Sequence, residues 1–247
     1  MMATTPPEGT AHRGGGLPYR FLHPIIWCWV RVFYRYRVRG VRHVPVEGGA
    51  LIASNHASYF DPIWIGAGVV HRAVAFMSTT SVGRVPVLGW LIRGFNGLTI
   101  LRRTGFNKDA MVEFIRVLHE DGRLLLVFPE GTRTEDGTLG SAHRGISLLA
   151  REAGVPVVPA FIAGARASWP KGRLWPSPWG RIEVAFGPPI RFADAIPGPG
   201  EASDDAFARV LMERIAILEQ VVEEPLSFRE GLRRILGLKP ADPDRMP

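Results

Sequence analysis

The chain has 247 residues, 46% of them hydrophobic and 21% charged. That balance supplies a full core, excludes global disorder and suits one globular domain with modest additions. The formal net charge of +7 comes almost wholly from arginine, because the only lysines are Lys108, Lys171 and Lys239. Arginine's planar fork matches phosphate, which keeps phospholipids, phosphorylated metabolites and nucleic acids open as partners. The one cysteine, Cys28, excludes an internal disulfide framework and a cysteine zinc cluster, and fits a reducing compartment. No signal-peptide pattern is evident, and no run reaches the ~18–20 apolar residues that a spanning helix needs.

Taken in order, residues 1–16 read as a mobile tail rich in Thr, Pro and Gly. Residues 17–39 interleave Phe21, Ile25, Ile26, Trp27, Trp29, Val30, Phe33 and Tyr34 with arginines, and no acid stands between Glu8 and Glu47. That mixture suits an amphipathic helical segment lying in a membrane interface; a helix packed on the domain with its arginines snorkelling is the other reading. From residue 40 the pattern alternates. Strands are predicted at Ala50–Ser54, Ala73–Ser78, Leu98–Leu101, Leu124–Phe128, Val155–Ile162 and Ile182–Phe186. Helices are predicted at Ile63–Val70, Val87–Phe95, from an Asn107 cap to a Gly122 stop, and at Ile146–Ala153. Residues 165–180 and 187–202 read as surface loops rich in Pro, Gly and Trp. Ser203 is expected to cap one C-terminal helix and Ser227 to open a capping box for a second. The expected fold is a single α/β domain at 40–200, with a mostly parallel or mixed central sheet flanked by helices, the interfacial segment 17–39 before it and packing helices at 201–240 after it.

Three stretches carry candidate chemistry. In Asn55-His56-Ala57-Ser58-Tyr59-Phe60-Asp61-Pro62 a histidine and an aspartate lie five residues apart, between an apolar strand and a proline that can open a helix. Histidine titrates nearest neutrality, and a carboxylate can fix its tautomer, so the pair is a candidate general base with its orienting partner. Phe128-Pro129-Glu130-Gly131-Thr132-Arg133 follows the most apolar strand, at the strand end where ligands bind in α/β sheets. Gly131 permits close backbone approach, Thr132 offers a hydroxyl and Arg133 can fork onto phosphate; an ordinary turn with an exposed arginine is the alternative. Gly97-Leu98-Thr99-Ile100-Leu101-Arg102-Arg103 closes a further strand with two cations. If the three ends converge, they offer one base and several phosphate clamps. With no serine nucleophile elbow, no usable cysteine and no metal cluster in the sequence, the chemistry suggested is base-assisted attack by a substrate hydroxyl. No nucleic-acid-binding motif is present.

These blocks, together with Val155-Pro156-Val157-Val158-Pro159, occur in the order and at the separations of the glycerolipid acyltransferase family. From about residue 38 to about residue 190 the chain resembles that family, and most of all its bacterial lysophosphatidic acid acyltransferases. The resemblance implies that His56 deprotonates the acceptor hydroxyl and that Asp61 orients and charge-stabilises it. It implies that Arg103, Glu130, Gly131, Thr132 and Arg133 shape the acceptor site, with the arginines on the phosphate. It further implies an acyl-CoA or acyl carrier protein donor used as substrate, no bound cofactor and no metal, and lysophosphatidic acid as acceptor, with glycerol 3-phosphate, another lysophospholipid or a glycolipid as the alternatives. An anionic membrane surface is the implied partner and nucleic acid is not, with the protein peripheral or monotopic on the cytoplasmic face. Two departures stand out: Arg102 occupies a position where the family commonly has an acid, and Ser78-Thr79-Thr80-Ser81 stands where a lysine usually precedes the Pro86-Val87-Leu88-Gly89-Trp90 run.

Overall fold

A computed structural model describes residues 17–76, 108–173, 175–195 and 201–223 of the chain. Its centre is a six-stranded sheet in the order β1-β6-β5-β2-β4-β3, formed by Arg37–Arg39 (β1), Ala50–Ser54 (β2), Val74–Phe76 (β3), Leu124–Val127 (β4), Val157–Ala163 (β5) and Glu183–Phe186 (β6). β5, β2, β4 and β3 run parallel, β6 pairs antiparallel with β5, and β1 pairs parallel with β6. The mixed sheet is the expected one. Ala50–Ala53 of β2 and all of β4 are apolar because both faces of the sheet are covered.

Alternate residues along each strand feed two cores. Ile52, Leu124, Leu126, Val158 and Phe186 face the layer made by α1 (Leu17–Tyr34) and α2 (Asp61–Gly68). Leu51, Ala53, Leu125, Phe161 and Ala185 face α3 (Lys108–His119), α4 (Arg144–Ala153) and α7 (Glu201–Glu223). Phe114 and Leu118 of α3 and Phe207, Leu211, Ile215 and Leu218 of α7 are fully buried there, at the three- and four-residue spacing of a helix face.

Several boundaries move from expectation. Arg37–Arg39, assigned from sequence to the interfacial segment, instead forms an edge strand, so the sheet begins before residue 40. In α1, Ile26, Val30 and Tyr34 recur every four residues and are buried in the core, while Ile25, Trp27, Val32 and Phe33 face outward. One side of the helix therefore packs on the domain and the other is left free. α7 starts at Glu201, so Ser203 lies inside it and does not cap it. The loops at 165–180 and 187–202 contain the short helices α5 (Ala165–Ser168) and α6 (Phe192–Ala195). The expectations for 1–16, Val87–Phe95, Leu98–Leu101, Asn107 and the Ser227 helix fall outside the described residues.

A buried tyrosine ties β1 to α2. The Tyr36 hydroxyl donates to the Trp64 carbonyl at 2.6 Å, and burial holds that hydroxyl well above the ordinary tyrosine range. A raised folded-state value means that the stabilisation is whole below the unfolded value near ~10 and is lost as pH rises beyond it. Tyr36→Phe is therefore expected to cost about 1 kcal/mol near neutrality and to flatten the alkaline decline, as read by urea denaturation across the alkaline range.

Candidate active site

Because β2, β4 and β5 are parallel, the turns that follow them open at the same edge of the sheet. β2 ends at Ser54, and Asn55 then continues the sheet with its side chain. Its carboxamide oxygen accepts the Ile162 N–H at 2.8 Å and its amide donates to the Ile162 carbonyl at 3.2 Å, copying a strand neighbour. Sequence reasoning attaches no role to Asn55; a buried amide at a strand end is the signal that marks it. It fixes where the chain leaves the sheet, and so where His56 starts.

His56 is held at both backbone groups by the turn after β4. Its N–H donates to Glu130 Oε1 at 3.0 Å, and its carbonyl accepts the Thr134 N–H at 2.8 Å. The imidazole Nδ1 lies 2.7 Å from Asp61 Oδ2. An ionised carboxylate only accepts, so Nδ1 carries the hydrogen and Nε2 keeps a lone pair. The Phe128 ring stacks on the imidazole at 3.8 Å between centroids and 11° between planes. The histidine side chain is 19% exposed and that of Asp61 fully buried. Among the described residues Nε2 has no hydrogen-bond partner.

Asp61 opens α2, with Pro62 beside it in the first turn. Its Oδ2 also accepts the N–H groups of Ala57 and Ser58, each at 2.8 Å. The carboxylate thus closes the turn 56–61 on itself while sitting at the positive end of the helix. The turn is braced from β5's side: the Tyr59 N–H donates to the Trp169 carbonyl at 3.1 Å, and the Ser58 and Ser168 hydroxyls lie 3.0 Å apart.

The turn after β4 divides its predicted residues between two jobs. Gly131 is left-handed (φ 67°), and a Cβ there would stand 2.7 Å from His143 Cδ2, so the turn requires glycine. Glu130 is buried, and both of its oxygens are occupied by backbone: Oε1 by His56 and Oε2 by the Gly140 N–H at 3.0 Å. It tethers the His56 backbone to the turn after β4, a contact that sequence reasoning does not give beside the expected acceptor role. Thr132 is exposed at the apex. Arg133 lays its guanidinium 3.5 Å over the Tyr59 ring, and its Nη1 is buried without a hydrogen-bond partner among the described residues. A positioned cation with an unused donor is suited to an anion. Arg103 lies outside the described residues.

His56, Asp61, Glu130, Gly131, Thr132 and Arg133 therefore share one sheet edge, an imidazole oriented by a carboxylate together with a cation suited to an anion. No hydroxyl or thiol of the described residues hydrogen-bonds to the His56 ring.

The sequence profile described as Acyltransferase matches residues 35–163, which includes both turns. The chain belongs to the acyltransferase family. A 1-acyl-sn-glycerol-3-phosphate acyltransferase of Pseudomonas aeruginosa is 27% identical over 227 residues, covering 85% of each chain. A lyso-ornithine lipid O-acyltransferase of the same organism is 35% identical over 120 residues, 49% of this chain and 45% of the relative. The chain spans about half the length, 51%, of the chloroplast 1-acyl-sn-glycerol-3-phosphate acyltransferases that it matches. Among solved structures, the 1-acyl-sn-glycerophosphate acyltransferase PlsC of Thermotoga maritima superposes with a TM-score of 0.63 at 24% identity, over 85% of this chain and 82% of that one. This acyltransferase therefore has the PlsC fold. Among its described residues no helix is long and apolar enough to cross a membrane.

Proposed function

We propose that this acyltransferase moves a fatty acyl group from acyl-CoA or acyl carrier protein to the free hydroxyl of lysophosphatidic acid, making phosphatidic acid for phospholipid synthesis. The observation that carries the reading is the 2.7 Å contact between His56 and a fully buried Asp61, with Nε2 left open, in a chain whose family relatives include acyltransferases named for that acceptor. Nε2 takes the proton of the acceptor hydroxyl as its oxygen attacks the thioester carbonyl. The ester C–O bond forms and the C–S bond breaks. The imidazolium returns the proton to the leaving sulfur, while Asp61 holds the ring and balances its charge. Arg133 takes the acceptor phosphate, with Arg103 as its second clamp and Gly131 and Thr132 lining the turn. Donor and acceptor are both substrates, so the chemistry asks for no cofactor or metal. The free side of α1 rests on an anionic membrane surface at the cytoplasmic face, as a peripheral or monotopic attachment; nucleic acid is not a partner.

The 35% identity with a lyso-ornithine lipid acyltransferase favours a second reading, in which the acceptor is another lysolipid. One assay separates them. Purified protein is offered a panel of lysolipids with acyl-CoA or acyl carrier protein, and products are read by mass spectrometry. Phosphatidic acid as the dominant product supports the first reading; folded protein giving none with either donor removes it. Arg133→Gln is expected to raise KM for a phosphate acceptor about tenfold or more, the loss of a hydrogen bond to a charged group, and to spare an acceptor without phosphate. An unchanged KM would take Arg133 off the phosphate.

A further inference from the structure

The connection between α5 and β6 carries two tryptophans that packing does not explain. Trp175 and Trp179 are 78% and 70% exposed. An indole in water forgoes the gain of burial, and a large exposed apolar group marks a contact surface. Pro170, Pro176 and Pro178 fix φ at three positions around the indoles, which lowers the cost of holding them outward.

Both ends of the segment are tied. At its start the Trp169 ring packs against Phe60 at 4.9 Å and against Tyr59 at 5.1 Å, both in the turn that holds His56. At its end the Gly180 N–H donates to the Phe33 carbonyl and the Ile182 N–H to the Tyr34 carbonyl, each at 3.0 Å, and the Tyr34 hydroxyl donates to the Ser177 carbonyl. Trp179 is thus held next to the C-terminal end of α1, where Val32 and Phe33 are also exposed. Two acids reach this corner, Glu135 on Lys171 and Glu183 on Arg181, and the remaining cations outnumber them. No acid occurs between Glu152 and Glu183, and exposed Arg35, Arg37 and Arg173 have no side-chain partner among the described residues.

We infer that the 170–181 loop is a second membrane contact, in which Trp175 and Trp179 enter the interface of an anionic bilayer beside the free side of α1 while Arg35, Arg37 and Arg173 meet headgroup phosphates. This rests on the membrane reading proposed above and adds a surface to it. Tryptophan favours the headgroup level of a bilayer, and arginine is drawn to anionic lipid. A single interfacial helix leaves a protein free to roll about its axis. A second contact reaching the turn of His56 stops that roll and presents the site to the leaflet that holds its lipid substrate.

The test is partition of the full chain onto vesicles of phosphatidylglycerol in phosphatidylcholine, followed by co-sedimentation, with circular dichroism and thermal melting as controls for folding. Trp175→Ala/Trp179→Ala is expected to weaken partition about tenfold or more, the effect of withdrawing two large aromatic groups from an apolar phase, with the melt unchanged. Trp175→Phe/Trp179→Phe is expected to recover much of the binding. Arg173→Gln is expected to weaken partition only onto vesicles that contain phosphatidylglycerol. Wild-type partition in the folded double-alanine variant would overturn the loop contact, and if Ile25→Ser/Phe33→Ser still lost binding the α1 attachment would stand without it. Failure of the wild-type chain itself to partition would remove both.

Discussion

A His56→Ala chain is expected to lose acyl transfer by about 10²–10⁴-fold, the usual cost of removing a positioned base, while its melting temperature stays close to that of the parent. The reason for the split is visible in the structure. The turn is held by the His56 backbone and by Asp61, whose Oδ2 also accepts the N–H groups of Ala57 and Ser58, so deleting the imidazole removes the base and little of the scaffold. Asp61→Asn is expected to cost a rate loss of similar size for a different reason. The Ala57 and Ser58 N–H groups keep the amide oxygen at the Oδ2 position, but the amide carries no charge to balance the imidazolium that forms on proton uptake. Measuring kcat for both variants against a saturating lysolipid decides the matter; a folded His56→Ala protein with near-parental turnover would end the assignment of His56 as base.

Glu130→Ala is expected to destabilise the domain by about 2–3 kcal/mol, since two N–H groups lose a charged acceptor and only the exposed Gly140 can turn to water, and to lower kcat because His56 loses its tether. Glu130→Gln keeps one acceptor oxygen and is expected to fall between. Chemical denaturation beside steady-state kinetics separates this from the acceptor contact expected from sequence. A Glu130→Ala chain of parental stability and kcat, altered only in acceptor KM, would return the residue to the substrate.

The difference between those two roles shows where sequence ceases to be legible. The strand Ala50–Ser54 is readable to the residue because both its faces are covered and its neighbours need no polar side chains. The His56–Asp61 pair is readable because both members lie in one turn, and a turn is a local object. The backbone partners of Glu130, His56 and Gly140, are not legible because they are brought to it by folding; beside Gly131-Thr132-Arg133 a carboxylate reads as part of a ligand site. Asn55 is passed over for the same reason, its partner Ile162 being 107 residues away. Arg37–Arg39 looks like more of the basic aromatic segment, since three residues carry no period and what makes them a strand is β6, near residue 183. Ser203 is a good cap by composition, but α7 continues two residues past it toward the N-terminus and buries its expected function.

The stacking of Phe128 on His56 has a consequence for the order of events. Phe128 closes one face of the imidazole and Asp61 holds Nδ1, so on the proposed function Nε2 is the nitrogen that both takes the acceptor proton and gives it up. On the proposed function the acceptor oxygen attacks the thioester directly, so neither half of the transfer has a waiting state. On the proposed function, donor and acceptor must therefore occupy the site together before either is changed, and the enzyme works as a meeting place whose rate is set by simultaneous occupancy.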